Sequence, residues 1–367
     1  MRASDPTVWR AIRPKTKIRV LAVATTVALL ASTAAPARPG RERDTIPSAL
    51  SDADFWSLTE RLSEANGSFV SRSGSPDNLL SNENSISSVA AELAVRVKSG
   101  GVYLGVGPEQ NFTYIAAMRP RLAFITDIRR GNLDLHLMYK ALFGLSATRS
   151  DFVARLFSRR PVAAATAKTT AAELMAAVRR SPPVDEAGFR ANLAAIDAYL
   201  TRTHALPLGK GDLDGIEYVS RNFHRFGPDI NYTSSINGRS GAFGSYGTIQ
   251  ALTDSSGVGR TYLASDEAFA YVKQMEAKNL VLPIVGDFAG PKALRALGRY
   301  LREHGTVVGA FYVSNVEMYL QRNGTWAAFC ANAASLPIDA GSVFIRPGGR
   351  GGSSWFGSMA GETSDCR

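Results

Sequence analysis

Two glycines and a carboxylate carry the clearest chemical signal in this chain. Gly105 and Gly107 interrupt an apolar run at residues 101–107, and Asp127 closes a second run at residues 122–127. Glycine lets the backbone turn sharply and approach a ligand, and an acid about 20 residues beyond such a turn is placed to hold ribose hydroxyls. The spacing predicts strand, turn, short helix and second strand around a nucleoside-containing ligand. A dinucleotide site needs a third Gly or Ala three positions after the second glycine, where this chain has Gln110. Pro108, Glu109 and Asn111 complete the turn, and a carboxylate at 109 would repel a diphosphate. S-adenosylmethionine has no phosphate and carries a sulfonium and an ammonium, so it fits this turn better. Gly105, Gly107, Glu109, Asn111 and Asp127 are therefore the expected cofactor-binding set.

Further candidates flank this unit. Asn82 and Glu83 precede a helix expected over residues 86–98, where they can cover the ligand. Arg129 and Arg130 share a loop with Asp127 and can meet a substrate carboxylate or phosphate. Asp287 and Asn315 follow the apolar runs 280–286 and 306–313. His136, at helical spacing, reads as a packed histidine. The four His residues form no HxxxH-like cluster and neither Cys330 nor Cys366 has a ligand partner at a useful spacing, so no metal site is expected. No GxSxG elbow is present, which argues against a serine hydrolase.

Apolar runs ending in polar tips, with helices between them, define the elements that must hold these groups. Strands are expected at 102–107, 122–127, 262–264, 280–286 and 306–313, with helices at 51–62, 86–98 and 292–304. The pattern predicts an α/β fold, Rossmann-like and doubly wound, with a mainly parallel sheet whose ligand lies at the carboxyl ends of the strands. Residues 144–246 read as a helical insertion or cap, and the Gly/Ser loop 238–246 as a segment able to close over a ligand. Residues 38–50 read as a linker, 51–347 as the domain and 348–367 as a Gly/Ser-rich flexible tail.

The N-terminus differs in character. Arg10, Arg13, Lys15, Lys17 and Arg19 precede the apolar run 20–35, and small residues at 35–37 resemble a cleavage site. Residues 1–37 are expected to be an export signal, with a membrane anchor as the alternative and a cytoplasmic protein if the start is misassigned. This segment supplies about half of the formal charge of +10. The remaining arginines are scattered, so no nucleic-acid partner is expected. A small-molecule or nucleoside ligand is, and contact with a membrane only through the N-terminal segment; the oligomeric state is left open. In an exported protein Cys330 and Cys366 could pair, and in a cytoplasmic one they would stay free.

The segments YLGVGPEQNFTYI, FITDIRRGNLDLHLMYKALF, VGDFAGP and FYVSNVEMYL resemble a family of uncharacterised bacterial proteins whose core looks like the class I S-adenosylmethionine-dependent methyltransferase fold. The resemblance runs from about Ile46 to about Pro347. It implies that Gly105 and Gly107 line the methionine part of the cofactor, that Asp127 holds the ribose, and that Asp287, after the fourth strand, faces the substrate as the catalytic group. Tyr103 stands where methyltransferases commonly place an acid, two residues before the first glycine. The functional expectation is a methyltransferase-like protein with an unknown acceptor; the alternative is an exported, non-catalytic ligand-binding protein on the same fold.

Overall fold

Short runs of Val, Ile, Leu and Phe, buried on both faces, build the centre of this protein, as expected for parallel strands covered on each side. The computed structural model describes residues 45–69, 77–234, 244–346 and 355–366. The expected export signal, residues 235–243, which include 238–243 of the expected closing loop, and residues 347–354 lie outside the described residues. None of the described helices is long and apolar enough to cross a membrane.

Helix α1 (Asp52–Leu62) starts at Ser51, whose side chain accepts from Asp54 N, and buries Phe55, Leu58 and Leu62 on one face. Helix α2 (Ile86–Arg96) leads into strand β1 (Val102–Gly105), helix α3 (Gln110–Met118) and strand β2 (Leu122–Asp127), which pairs parallel to β1. The chain then leaves the sheet at residue 128 and returns only at 280. This excursion holds α4 (Arg130–Leu145), α5 (Arg149–Leu156), α6 (Ala171–Arg180), α7 (Glu186–Ala198), α8 (Lys210–Phe226), α9 (Tyr246–Gln250) and α10 (Asp266–Ala277). It is helical, as expected, but wider than the predicted 144–246.

Strand β3 (Val281–Val285) pairs parallel to β2 at the sheet edge, where Pro283 is tolerated because an edge strand can forgo one ladder donor. Helix α11 (Ala293–Glu303) carries the chain across to strand β4 (Val308–Tyr312), which pairs parallel to the far side of β1. Helices α12 (Val316–Arg322) and α13 (Trp326–Ala334) precede β5 (Val343–Ile345), and β6 (Phe356–Ser358) closes the order β3-β2-β1-β4-β5-β6 as its single antiparallel member.

Two expectations are corrected. Residues 262–264 are not a strand: Tyr262 and Leu263 are buried in a turn, where Tyr262 packs against Phe112, Phe143 and Phe152. Strand β3 is consequently the third strand and not the fourth. The segment expected to be a flexible tail contributes β6 and the short helix α14 (Met359–Glu362), held by a disulfide between Cys330 and Cys366 and by Arg346, which bridges Glu317 and Glu362.

Arg149, fully buried at the start of α5, ties the excursion together. Its guanidinium donates to Asp266 Oδ1 at 2.7 Å, to Leu263 O at 2.8 Å, and to Thr169 O and Thr166 O at 3.1 Å. Replacing it takes the guanidinium donor from Leu263 O and Thr169 O, while Thr166 O keeps the Thr169 N–H at 2.9 Å. Arg149→Met is expected to lower unfolding stability by about 1–3 kcal/mol, read as a reduced urea midpoint.

Candidate functional site

The turn after β1 is shaped by one side chain. Asn111 Nδ2 donates to Val106 O at 3.0 Å, Gly107 O at 3.2 Å and Pro108 O at 2.7 Å, while its Oδ1 accepts from the Tyr103 hydroxyl at 2.8 Å. A Cβ on Gly105 would stand 1.9 Å from Asn111 Oδ1, so the glycine makes room for the asparagine and not for a ligand. Gly107 has φ +75°, a conformation that glycine adopts without strain. Its carbonyl also meets His136 Nε2 at 2.9 Å; burial pushes that imidazole down to about 4, against the pull of the carbonyl and of Asp127, so it packs as a neutral ring.

Glu109 does not face a ligand. Its two carboxyl oxygens turn back to accept from Ser81 N at 3.2 and 3.1 Å, and the side chain is fully buried. Burial raises its pKa to about 8, backbone N–H donors pull it down, and Glu83 pushes it up. The repulsion expected between Glu109 and a bound diphosphate therefore loses its basis.

A cleft of about 200 Å³ opens at the carboxyl ends of the first four strands. Gly107 and Gln110 line it after β1, Asp127 and Arg129 after β2, Asp287 after β3, and Ser314 and Asn315 after β4. Val106, Ile128, Phe288 and Leu320 supply apolar wall. Hollows of about 300 and 340 Å³ in the 128–280 excursion collect no strand ends. Asp127 is engaged: Arg129 reaches its Oδ1 through Nε at 3.1 Å and its Oδ2 through a terminal nitrogen at 3.2 Å, and the Arg129 backbone N–H adds a bond at 3.0 Å. Asp287 accepts from Ala289 N at 2.9 Å and stands on the Asp127 side of the cleft, since β3 neighbours β2.

Six expected site residues lie off the cleft wall. Gly105 and Asn111 hold the turn, Glu109 holds Ser81, and Glu83 lies buried behind Ser314. Asn82 is half-buried outside the lining. Arg130 points away, to Asp212 at 2.6 Å and Glu60 at 3.3 Å. The wall also uses residues that spacing did not single out. Spacing marks Gln110 only as a missing glycine, yet it faces the cleft with Nε2 bonded to Val106 O at 3.0 Å and a buried Oε1 that meets no donor. Phe69 packs edge-on against Tyr319 at 4.8 Å and beneath the Arg129 guanidinium at 5.7 Å, a contact between distant segments that leaves no local sequence signal.

The molecule is thus an α/β protein with a mainly parallel sheet and a cleft at the strand ends. The chain belongs to the family described as Domain of unknown function (DUF7790), whose model matches residues 79–206 and 244–361. No curated protein matches the sequence. Gly107, Gln110, Asp127, Arg129, Asp287, Ser314 and Asn315 fall within the matched segments; Tyr232, also on the wall, and α8 fall outside them.

Glu109 binds its proton more tightly folded, with a pKa of about 8, than at its ordinary value of 4.5. Across that window the unfolded chain has released a proton that the folded chain keeps, so this group's contribution to stability falls as pH rises from about 4.5 to about 8. Glu109→Gln is expected to gain on the wild type progressively over the same window, read from urea midpoints at each pH.

Proposed function

We propose that the cleft binds S-adenosylmethionine and that the protein is methyltransferase-like, acting on an acceptor that enters over β4. The observation that carries this reading is the convergence of Gly107, Asp127 and Asp287, from three successive strand ends, on one cleft. The strand order reverses between β1 and β4, and open α/β sheets bind ligands at such switch points. On this basis the sheet is read as Rossmann-like and doubly wound.

The donor set suits the cofactor. Two carboxylates, Asp127 and Asp287, and one guanidinium, Arg129, line the cleft, which favours a cationic sulfonium over a diphosphate once Glu109 is set aside. Gln110 Oε1 is a buried acceptor in want of a donor, and the ligand's ammonium is one. Asp127 accepts ribose hydroxyls in exchange for part of its bonding to Arg129. Asp287 orients the nucleoside end instead of taking a proton, because it shares a bank with Asp127. Val106, Ile128, Phe288 and Leu320 exclude water. The bound cofactor would supply an electrophilic methyl group.

Calorimetric titration of the full chain with S-adenosylmethionine and S-adenosylhomocysteine is expected to give binding that Asp127→Ala weakens by about 10-fold or more. Absence of binding by the wild type removes this reading.

A second reading is an exported, non-catalytic ligand-binding protein. The disulfide between Cys330 and Cys366 favours it, because such bonds persist in oxidising compartments, whereas S-adenosylmethionine is a cytoplasmic metabolite. A reporter fused after residue 40 is expected to act outside the cytosol on this reading, and reporter activity confined to the cytosol rules it out.

A further inference from the structure

One carboxylate beneath the β4 bank of the cleft collects several hydroxyl groups. Glu83, buried ahead of α2, accepts from the Tyr312 hydroxyl at the end of β4 and from Ser314 Oγ at 3.1 Å, with a weaker contribution from the Tyr114 hydroxyl of α3. Ser314 has φ +50°, a left-handed conformation that a serine adopts only where its surroundings impose it, and such strain gathers at functional sites. The turn places Ser314 on the cleft wall while its hydroxyl reaches back to Glu83. A buried acid thus communicates with the cleft through a single side chain.

The groups facing Glu83 from the packed elements are Tyr103 of β1, Glu109 of the turn, Tyr114 of α3, and Tyr312 and Ser314. All are neutral or acidic. Burial raises Glu83 to about 7, with the hydroxyl donors pulling it back, so it takes or gives a proton close to neutral pH.

We propose that Ser314 and Glu83 are the proton-accepting pair for a hydroxyl-bearing acceptor, which sits over the end of β4. The proposal rests on the S-adenosylmethionine reading and names its acceptor class. A hydroxyl oxygen is a weak nucleophile that must lose its proton as it bonds to carbon, whereas a thiolate or neutral amine attacks without a base. The acceptor proton passes to Ser314 Oγ as the Ser314 proton passes to Glu83 Oε1. The new oxygen–carbon bond forms, the carbon–sulfur bond breaks with its electron pair left on sulfur, and the proton ends on Glu83. Asp287 is the competing carboxylate, and it lies on the opposite bank.

The test uses the full chain with methyl-labelled S-adenosylmethionine, catechol as the hydroxyl probe, and aniline and thiophenol as controls. Catechol is expected to be methylated at a rate that rises through about pH 7. Glu83→Gln should lose this rise and fall by about 100-fold, with Ser314→Ala intermediate. Both variants should keep S-adenosylhomocysteine affinity within about threefold, since neither residue holds the nucleoside. In protein saturated with S-adenosylhomocysteine, catechol should shift the infrared carboxyl band of Glu83 in the wild type and not in Ser314→Ala. No transfer to catechol, transfer confined to the controls, an unchanged pH profile in Glu83→Gln, or an unmoved band overturns the proposal and leaves cofactor binding intact. Failure to bind S-adenosylmethionine removes the underlying reading and this proposal together.

Discussion

The Asn111 amide is the interaction on which the rest of the site depends. It gathers three consecutive carbonyls of the turn after β1 and is itself fixed by the Tyr103 hydroxyl. With the carbonyls of Val106, Gly107 and Pro108 drawn to one side, the flanking side chains have little choice of direction. Glu109 is turned inward to Ser81, and Gln110 faces the cleft. The amide serves the turn as a metal or a phosphate serves other loops, by satisfying backbone groups that would otherwise be buried without partners.

Burial without countercharge sets the electrostatics around this turn. Glu109 and Glu83 are both raised toward neutrality mainly by desolvation, and His136 is lowered by the same cause. The pair Asp127 and Arg129 is handled differently: the two largely buried side chains neutralise one another on the cleft wall. A mostly protonated Glu109 and a Glu83 poised near neutrality behind the wall, with a compensated ion pair on it, give the cleft a charge pattern gentler than its count of acidic residues implies.

Much of the scaffold was legible because periodicity and composition decide it. Strands β1 to β4, α1 with its Phe55 face, and α11 followed from apolar runs and caps. The run at 262–264 misled because a short apolar run looks alike in a strand and in a turn plugged into an aromatic cluster. The tail looked flexible from its Gly and Ser content, which says nothing about β6 pairing with β5 across the intervening segment. Site residues were harder. Glu109 and Gln110 are adjacent in sequence and point in opposite directions, and the Ser81 N–H that holds Glu109 inward comes from 28 residues away. Gly107, Asp127 and Asp287 lie on the cleft wall because they end strands, which sequence reveals; the contact of Ser314 with Glu83 joins residues 231 apart, which it does not.

The strand order has a consequence for how the molecule holds together. The β1 and β2 pairing joins residues close in sequence, and so do the pairings among β4, β5 and β6; β2 meets β3 only after some 150 intervening residues, and β1 meets β4 only after some 200. The sheet therefore closes through two long-range pairings, and the seam between β1 and β4, with the longest span of chain, costs the most chain entropy to close. Asp127 stands on one side of that seam and Ser314 on the other. A ligand that touches both acts as a staple: it binds only the closed sheet, and each increment of occupancy is returned as resistance of the whole domain to unfolding.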